Sequence, residues 1–307
     1  MRICLIVNPN AGSADAGTAL RDAADRDPEV TVRETKAAGD GTRLAKEAAQ
    51  EGFDIVVAAG GDGTVNEVVN GLAALPLKAR LGIVPLGTGN DLPRTLAVPD
   101  DPLEAFALLR TGRERTIDLM RVRTGGRELY GANVGAGGFT GQMNEAMTDE
   151  IKDRWGPLAY LRGAVTVLPD LTRYRTRVRY DGAAWEDVHA MNIVVANART
   201  AGGGTVVAPL ANPEDGLLDV VVVSGRAGAV ELAGVAARLL AGNYLESDAV
   251  THRRARRVEI QSEPGMAFNV DGELLSDEPI TFTVVPQALR VIVGDGYQPE
   301  GQPAAAR

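Results

Sequence analysis

The chain has 307 residues, 45% apolar and 24% charged, with a formal net charge of −9. That length suits two domains or one large one with an ample core, and the acidic balance argues against a nucleic-acid partner. No stretch reaches the ~18–20 apolar residues of a membrane-spanning helix, and one cysteine (Cys4) and two histidines (His189, His252) leave no intrachain disulfide and little for a zinc centre.

In chain order, residues 2–7 read as a first β-strand rather than a signal peptide, which fits a reducing, cytoplasmic location. A polar turn, NPNAGS, follows at residues 8–13. A helix is expected over 14–24 and a strand over 30–34, ending at Thr35. Residues 39–51 read as a helix, with Leu44, Ala45, Ala48 and Ala49 on one face. Residues 54–59 (DIVVAA) have the length and β-branching of a buried strand. Strand 81–85 runs into LGTGNDL at 86–92, and a further helix lies near 103–109. This βα alternation implies a doubly wound parallel sheet with helices on both faces. Ligands of such sheets bind outside the C-terminal strand ends, where these polar turns gather.

The turn after the DIVVAA strand is the richest. Gly60, Gly61, Asp62, Gly63 and Thr64 lead into a helix whose Val65, Val68, Val69 and Leu72 share one face. Strand, glycine turn and helix together aim backbone N–H groups and a helix N-terminus at one point, which suits a phosphate. Side chains there would hold the phosphate off the backbone. A carboxylate beside a phosphate is repulsive unless a cation lies between them, so Asp62 points to a magnesium nucleotide. The plain alternative is a tight turn with a capping Asp.

Beyond Asp118 the pattern changes to short strand-like runs at 116–122, 128–134, 176–180, 188–196, 216–223, 258–262, 268–270 and 280–285. Helical pieces are expected at 143–168 and 227–240. The reading is therefore a nucleotide-binding α/β domain over 1–125 and a mostly antiparallel, β-rich domain over 126–287. A last strand within 288–298 returns to the first domain, and 299–307 form a disordered tail.

Three stretches together carry a resemblance. They are Asn8-Pro9-Asn10-Ala11-Gly12, the run from Gly60 to Asn70 containing Val65, Asn66 and Glu67, and Pro85-Leu86-Gly87-Thr88-Gly89-Asn90-Asp91. The set resembles the diacylglycerol kinase catalytic family, in particular its soluble bacterial lipid kinases. NARTAGGG (197–204), PEDGLLDV (213–220) and NVDGEL (269–274) extend the resemblance over nearly the whole chain. Gly-Gly-Asp-Gly-Thr alone is shared with NAD kinases and phosphofructokinases; Val-Asn-Glu after it and the 86–91 turn separate the lipid kinases.

The resemblance implies an NAD-kinase-like first domain, ATP as co-substrate with Mg2+, and a lipid acceptor at a membrane surface. It places the nucleotide on residues 8–12, Thr35, the glycine turn through Glu67, and Gly87, Thr88, Asn90 and Asp91. It makes Asp271 and Glu273 the catalytic acidic pair, with Glu273 slightly preferred as the proton acceptor. A structural magnesium would fall on the Asp215 carboxylate with backbone oxygens of Asn212 and Leu217. The chain departs from some members in having no Lys between Arg2 and Lys36, and Lys152 is the nearest match to another basic position.

Each assignment has a plain alternative. Asp271-Gly272 is a common hairpin pair. Glu67 could be only an acid on its helix dipole. Asn90 and Asp91 could be a turn and N-cap, and Asp215 a turn residue. The alternating Arg173, Arg175, Arg177 and Arg179, and the HRRARR cluster at 252–257, read as solvated faces or as an anionic-membrane patch. The rival functions are an NAD or other small-molecule kinase and a non-catalytic nucleotide- or lipid-binding regulator. Oligomeric state stays open, with a homodimer admissible.

Overall fold

The computed structural model describes residues 1–12, 14–75, 78–138, 172–275 and 279–300. The expected helix at 143–168, Lys152, and residues 301–307 of the expected tail lie outside them.

Four apolar runs form the parallel part of the sheet: β1 (Ile3–Val7), β2 (Val30–Glu34), β3 (Ile55–Gly60) and β4 (Arg80–Pro85). β1 and β3 are buried on both faces, as expected for a parallel sheet covered by helices. The order is β4-β3-β1-β2, and all three pairings are parallel. Helix α1 (Ala14–Asp25) packs against α5 (Pro102–Thr111), while α2 (Asp40–Gln50) packs against α3 (Asp62–Ala73). Short α4 (Asp91–Thr95) follows β4. Gly71 lets α2 and α3 approach closely, since an added Cβ would lie 2.4 Å from the Thr42 carbonyl.

The remaining strands continue the same sheet in antiparallel fashion. β5 (Arg113–Thr124) turns through Gly125 and Gly126, both with positive φ, into β6 (Arg127–Gly131). Then come β7 (Val134–Gly138), β8 (Tyr174–Tyr180), β9 (Glu186–Ala196), and the small pair β10 (Thr200–Ala201) and β11 (Thr205–Val206). β12 (Leu218–Ser224), helix α6 (Ala229–Ala241), β13 (Val250–Ala255), β14 (Arg257–Glu263), β15 (Phe268–Val270), β16 (Glu273–Leu275) and β17 (Ile280–Val293) complete the chain.

Three stretches differ from the sequence reading. The run 128–134 is two strands, β6 and β7, broken at Ala132 and Asn133. The expected strand 280–285 and the last strand expected within 288–298 are one long strand, β17, with an irregularity between Val285 and Leu289. Asp118 holds that irregularity open, its Oδ1 accepting the Gln287 amide at 2.7 Å. HRRARR is not merely a surface cluster: it spans the end of β13 and the start of β14. Its His252 and Arg254 lie on one face, two residues apart. β17 runs antiparallel to β5 along its length and meets β4 in parallel through Val291 and Leu81. The parallel and antiparallel regions therefore share hydrogen-bonded strands.

The arginines of β8 alternate as expected, Arg175 and Arg177 exposed and Thr176 and Val178 buried between them. Two of them are already engaged. Arg177 donates to Gln261, Arg179 pairs with Glu259, and both stack over Trp185.

Candidate active site

The carboxyl end of the parallel sheet gathers three turns. Asn8 follows β1; its amide bonds the Ala59 carbonyl at 3.0 Å, and its side chain reaches the Thr64 hydroxyl at 3.5 Å. The Asn10 amide bonds the Asn8 side chain at 3.0 Å, closing an Asx turn over Pro9. Gly12, at φ 77°, lies so close to Leu86 that an added Cβ would stand 2.7 Å from its carbonyl oxygen. Ala11 packs at the edge of the core. The Thr35 amide bonds the Val7 carbonyl at 2.9 Å at the end of β2.

The second turn begins α3. Its N-cap is Gly61, in an extended conformation, and no side chain caps the helix. The first-turn amides, Gly63 and Thr64 among them, are thus left for a ligand or water. Val65 is buried against the core, and its amide closes the first helical bond to Gly61. The third turn folds onto the second. A Cβ on Gly87 would lie 2.6 Å from Gly61 Cα, and one on Gly89 would lie 2.2 Å from an Asp62 oxygen. Glycine is required at both positions because backbone meets backbone or carboxylate there. Thr88 lies between them.

Asp62 ties these turns together. Its Oδ2 accepts the Asn90 amide and its Oδ1 the Asp91 amide, each at 3.0 Å. Burial pushes this carboxyl above the usual carboxylate range. Asn90 adopts φ 51° and donates to the Gly87 carbonyl at 2.8 Å; its buried Oδ1 has no partner among the described residues. Asp91 reaches the other half of the chain: its carboxylate accepts the Gly203 amide at 3.0 Å and the Gly204 amide at 2.7 Å. The capping alternative for Asp91 is therefore replaced by a cross-link to NARTAGGG.

Asn66 and Glu67 are placed differently from the nucleotide reading. Asn66 is buried and accepts from Asn70 at 2.7 Å. Asn70 in turn exchanges bonds with the amide and carbonyl of Tyr130, both at 2.8 Å. Glu67 turns away from the glycine turn. Its two oxygens accept the Gly39 and Gly41 amides, at 2.8 and 2.7 Å, and so cap α2. It is an acid on a helix dipole, but on the neighbouring helix rather than its own.

Asp271 and Gly272 form a two-residue hairpin between β15 and β16, at φ 47° and 94°. Positive φ at both positions is the signature of a type I′ turn. The hairpin alternative is thus correct, and it coexists with an inward carboxylate. Asp271 Oδ2 accepts the amides of Ala132 and Asn133 at 2.6 and 3.0 Å, and Oδ1 that of Val134 at 2.8 Å. Burial, with a smaller push from the negative charge of Asp62, raises this carboxyl to about 6 against the pull of those amides. Asp271 turns inward and Glu273 does not: a left-handed turn does not follow strand alternation, so the Glu273 side chain is exposed and makes no hydrogen bond among the described residues.

Arg94 is the site residue that motif reading missed. It lies on α4, its guanidinium so close to Gly204 that an added Cβ there would stand 2.5 Å away, and its charge lowers the Asp62 carboxyl. Its signal was only a basic residue three positions after Asp91. It supplies a cation near Asp62 in a chain without the early Lys.

The groups expected to hold a structural magnesium come together but are engaged. Asp215 Oδ1 accepts the Leu217 amide at 3.0 Å and Oδ2 pairs with Arg254, while the Asn212 carbonyl accepts the Asp215 amide at 3.4 Å. As arranged, this donor set does not fit a divalent cation. Among the described residues, no group of three or more His, Cys, Asp or Glu side chains gathers to hold a metal.

The arrangement joins a parallel sheet with an uncapped glycine turn to an antiparallel region that delivers a buried acid. An NAD kinase from Archaeoglobus fulgidus solved with ATP shares this fold, with a TM-score of 0.57 over 97% of this chain and 95% of that one, at 14% identity. The chain belongs to the diacylglycerol kinase catalytic family: the family's catalytic-domain model matches residues 2–122, and the YegS C-terminal NAD kinase beta sandwich-like domain matches 133–293. The Bacillus subtilis diacylglycerol kinase is 33% identical over 86% of each chain. A Staphylococcus aureus diacylglycerol kinase is 30% identical over 92% of this chain and 89% of its own. The crystal structure of a Bacillus anthracis diacylglycerol kinase superposes with a TM-score of 0.78, at 28% identity, covering 97% and 98% of the two chains.

Proposed function

We propose that the protein is a lipid kinase that transfers the γ-phosphate of ATP to the hydroxyl of diacylglycerol or a related lipid. The observation that carries this reading is that Asp62, at an open helix N-terminus, lies near enough to Asp271 of the antiparallel region for its charge to raise that carboxyl. Residues 1–125 bind the nucleotide, and residues 126–287 present the lipid. The α3 amides and the 8–12 and 87–91 turns hold the phosphates, and Arg94 faces their negative charge.

Among the described residues each oxygen of Asp62 accepts one amide and Asn90 Oδ1 accepts none. Both keep lone pairs for a magnesium ion, so these residues fit a magnesium nucleotide. The ion would draw negative charge from the transferring phosphoryl group. Glu273 takes the hydroxyl proton: it is free, whereas both oxygens of Asp271 are held by amides. Asp271 fixes the 132–134 backbone beside the site. Because its substrate is a lipid, the enzyme works at a membrane surface, and among the described residues no helix is long and apolar enough to cross one.

The test is transfer of label from ATP with magnesium to mixed micelles of diacylglycerol, sphingosine, ceramide or polyprenol, with NAD in parallel. Label in the organic phase, lost in Asp62→Ala, is the expected result. Label only in NAD, or nucleotide binding with no transfer to any acceptor, would sink the proposal.

A further inference from the structure

We infer that Arg254 is this chain's built-in cation for the 212–217 loop, standing where a divalent ion would otherwise neutralise Asp215. The register of β12 and β13 sets Asp219 opposite Arg254 and Val221 opposite His252. Asp219 is 1% exposed, so its charge requires partners on both oxygens. His252 Nε2 serves Oδ1 at 2.6 Å. Among the described residues Oδ2 has no hydrogen bond, and the cation facing it is Arg254 Nε, 3.7 Å away. The same guanidinium contacts Asp215 through Nη2. One arginine therefore faces two carboxylates four residues apart, with its planar fork divided between them.

A magnesium ion on Asp215 would need several oxygens at ~2.0–2.1 Å and would bring two further positive charges against that guanidinium. The loop is held without one. Its Gly216 amide bonds Asp118 Oδ2, and the Asp118 amide bonds the Pro213 carbonyl, both at 2.7 Å. Tyr297 donates to Glu214 at 2.8 Å.

The loop also leads to the catalytic region. Asn197 Nδ2 donates to the carbonyls of both Asp118 and Ala132 at 2.9 Å, and the Ala132 amide is one of those held by Asp271. Arg254 thus stands at one end of a chain of contacts that runs through the loop to the 132–134 backbone. The inference does not depend on which acceptor the enzyme phosphorylates.

The experiment is thermal unfolding of the nucleotide-free full chain with EDTA and with millimolar magnesium, beside a Mn2+ titration followed by electron paramagnetic resonance. The wild type is expected to melt at the same temperature in both buffers and to show no saturable Mn2+ site that Asp215→Asn removes. Arg254→Gln is expected to melt about 5 °C lower, because it leaves a buried carboxylate with one partner. If Arg254→Gln does not fold, Arg254→Lys keeps the charge without the fork and should fall by less. A saturable Mn2+ site in the wild type that disappears in Asp215→Asn, or an Arg254→Gln protein that melts like the wild type, would overturn the inference.

Discussion

Replacing Asp271 with Asn separates two effects that the structure sets against each other. Raising this carboxyl from its ordinary 3.8 to about 6 means that the fold disfavours its charge by about 3 kcal/mol. Asparagine is the neutral isostere and escapes that penalty at pH 8. Its amide, however, must face at least one of three backbone N–H donors as a donor itself, which costs about 1–3 kcal/mol. The φ of 47° suits Asn as well as Asp. At pH 8 the terms nearly cancel, and the variant should match wild-type stability to within about 2 kcal/mol. The sign reverses in acid. A group whose folded pKa is raised contributes its full stability below the unfolded value and loses it as pH rises through the folded one. The wild type is therefore relieved of the charge penalty below about pH 3.8, where both states become protonated, and the variant keeps only the donor mismatch. Urea unfolding at about pH 3.5 and pH 8 should show Asp271→Asn destabilised by about 1–3 kcal/mol at the lower pH and near parity at the higher. Phosphate transfer should nevertheless fall by about 10²-fold or more, because the 132–134 backbone loses its anchor beside the reacting groups. A stability gap that does not move with pH, or full transfer activity in the variant, would refute the reasoning.

Two further outcomes follow from the same geometry. Arg94→Ala should raise the KM for ATP by roughly 10–100-fold, the worth of one charge-assisted contact, with partial recovery in Arg94→Lys; steady-state kinetics over an ATP series would show it, and an unchanged KM would remove Arg94 from the phosphate site. Glu67→Gln turns one oxygen facing Gly39 or Gly41 into a donor, so thermal unfolding should occur about 3–6 °C lower with little change in the KM for ATP; the reverse pattern would place Glu67 on the nucleotide after all.

The parallel half was legible because its signals are local. The runs of β1 and β3 are continuous apolar stretches, and the turns after them carry the glycines that a close backbone approach demands. Even there, the direction of a side chain was not legible. Glu67 and Asp62 sit five residues apart on one helix, yet one caps α2 and the other binds the 86–91 turn. That choice depends on where α2 and the third turn pack, which no spacing along α3 records. The antiparallel half was harder, because its elements are defined by partners far along the chain. The break at Ala132 and Asn133 exists because their amides turn to Asp271, 139 and 138 residues away. The irregularity in β17 exists because Asp118 captures the Gln287 amide across 169 residues. Asp118 belongs to no motif and carried no signal of its own. β13 was hidden because its arginines and histidine look like surface until the strand opposite supplies Asp219.

These same long-range bonds explain how one site can be built from two regions with different pairing rules. Asp91 holds the Gly203 and Gly204 amides, Asn70 holds both backbone groups of Tyr130, and Asp271 holds three successive amides beside Ala132. In each case a short polar side chain from a turn or helix substitutes for a strand partner at a place where the sheet ladder is interrupted. Satisfying those amides from within ties the loops together, and leaves the α3 amides and Asn90 Oδ1 open beside one another at the site. A buried polar group without a partner is costly. The fold tolerates that cost at the carboxyl end of the parallel strands, where a nucleotide would relieve it.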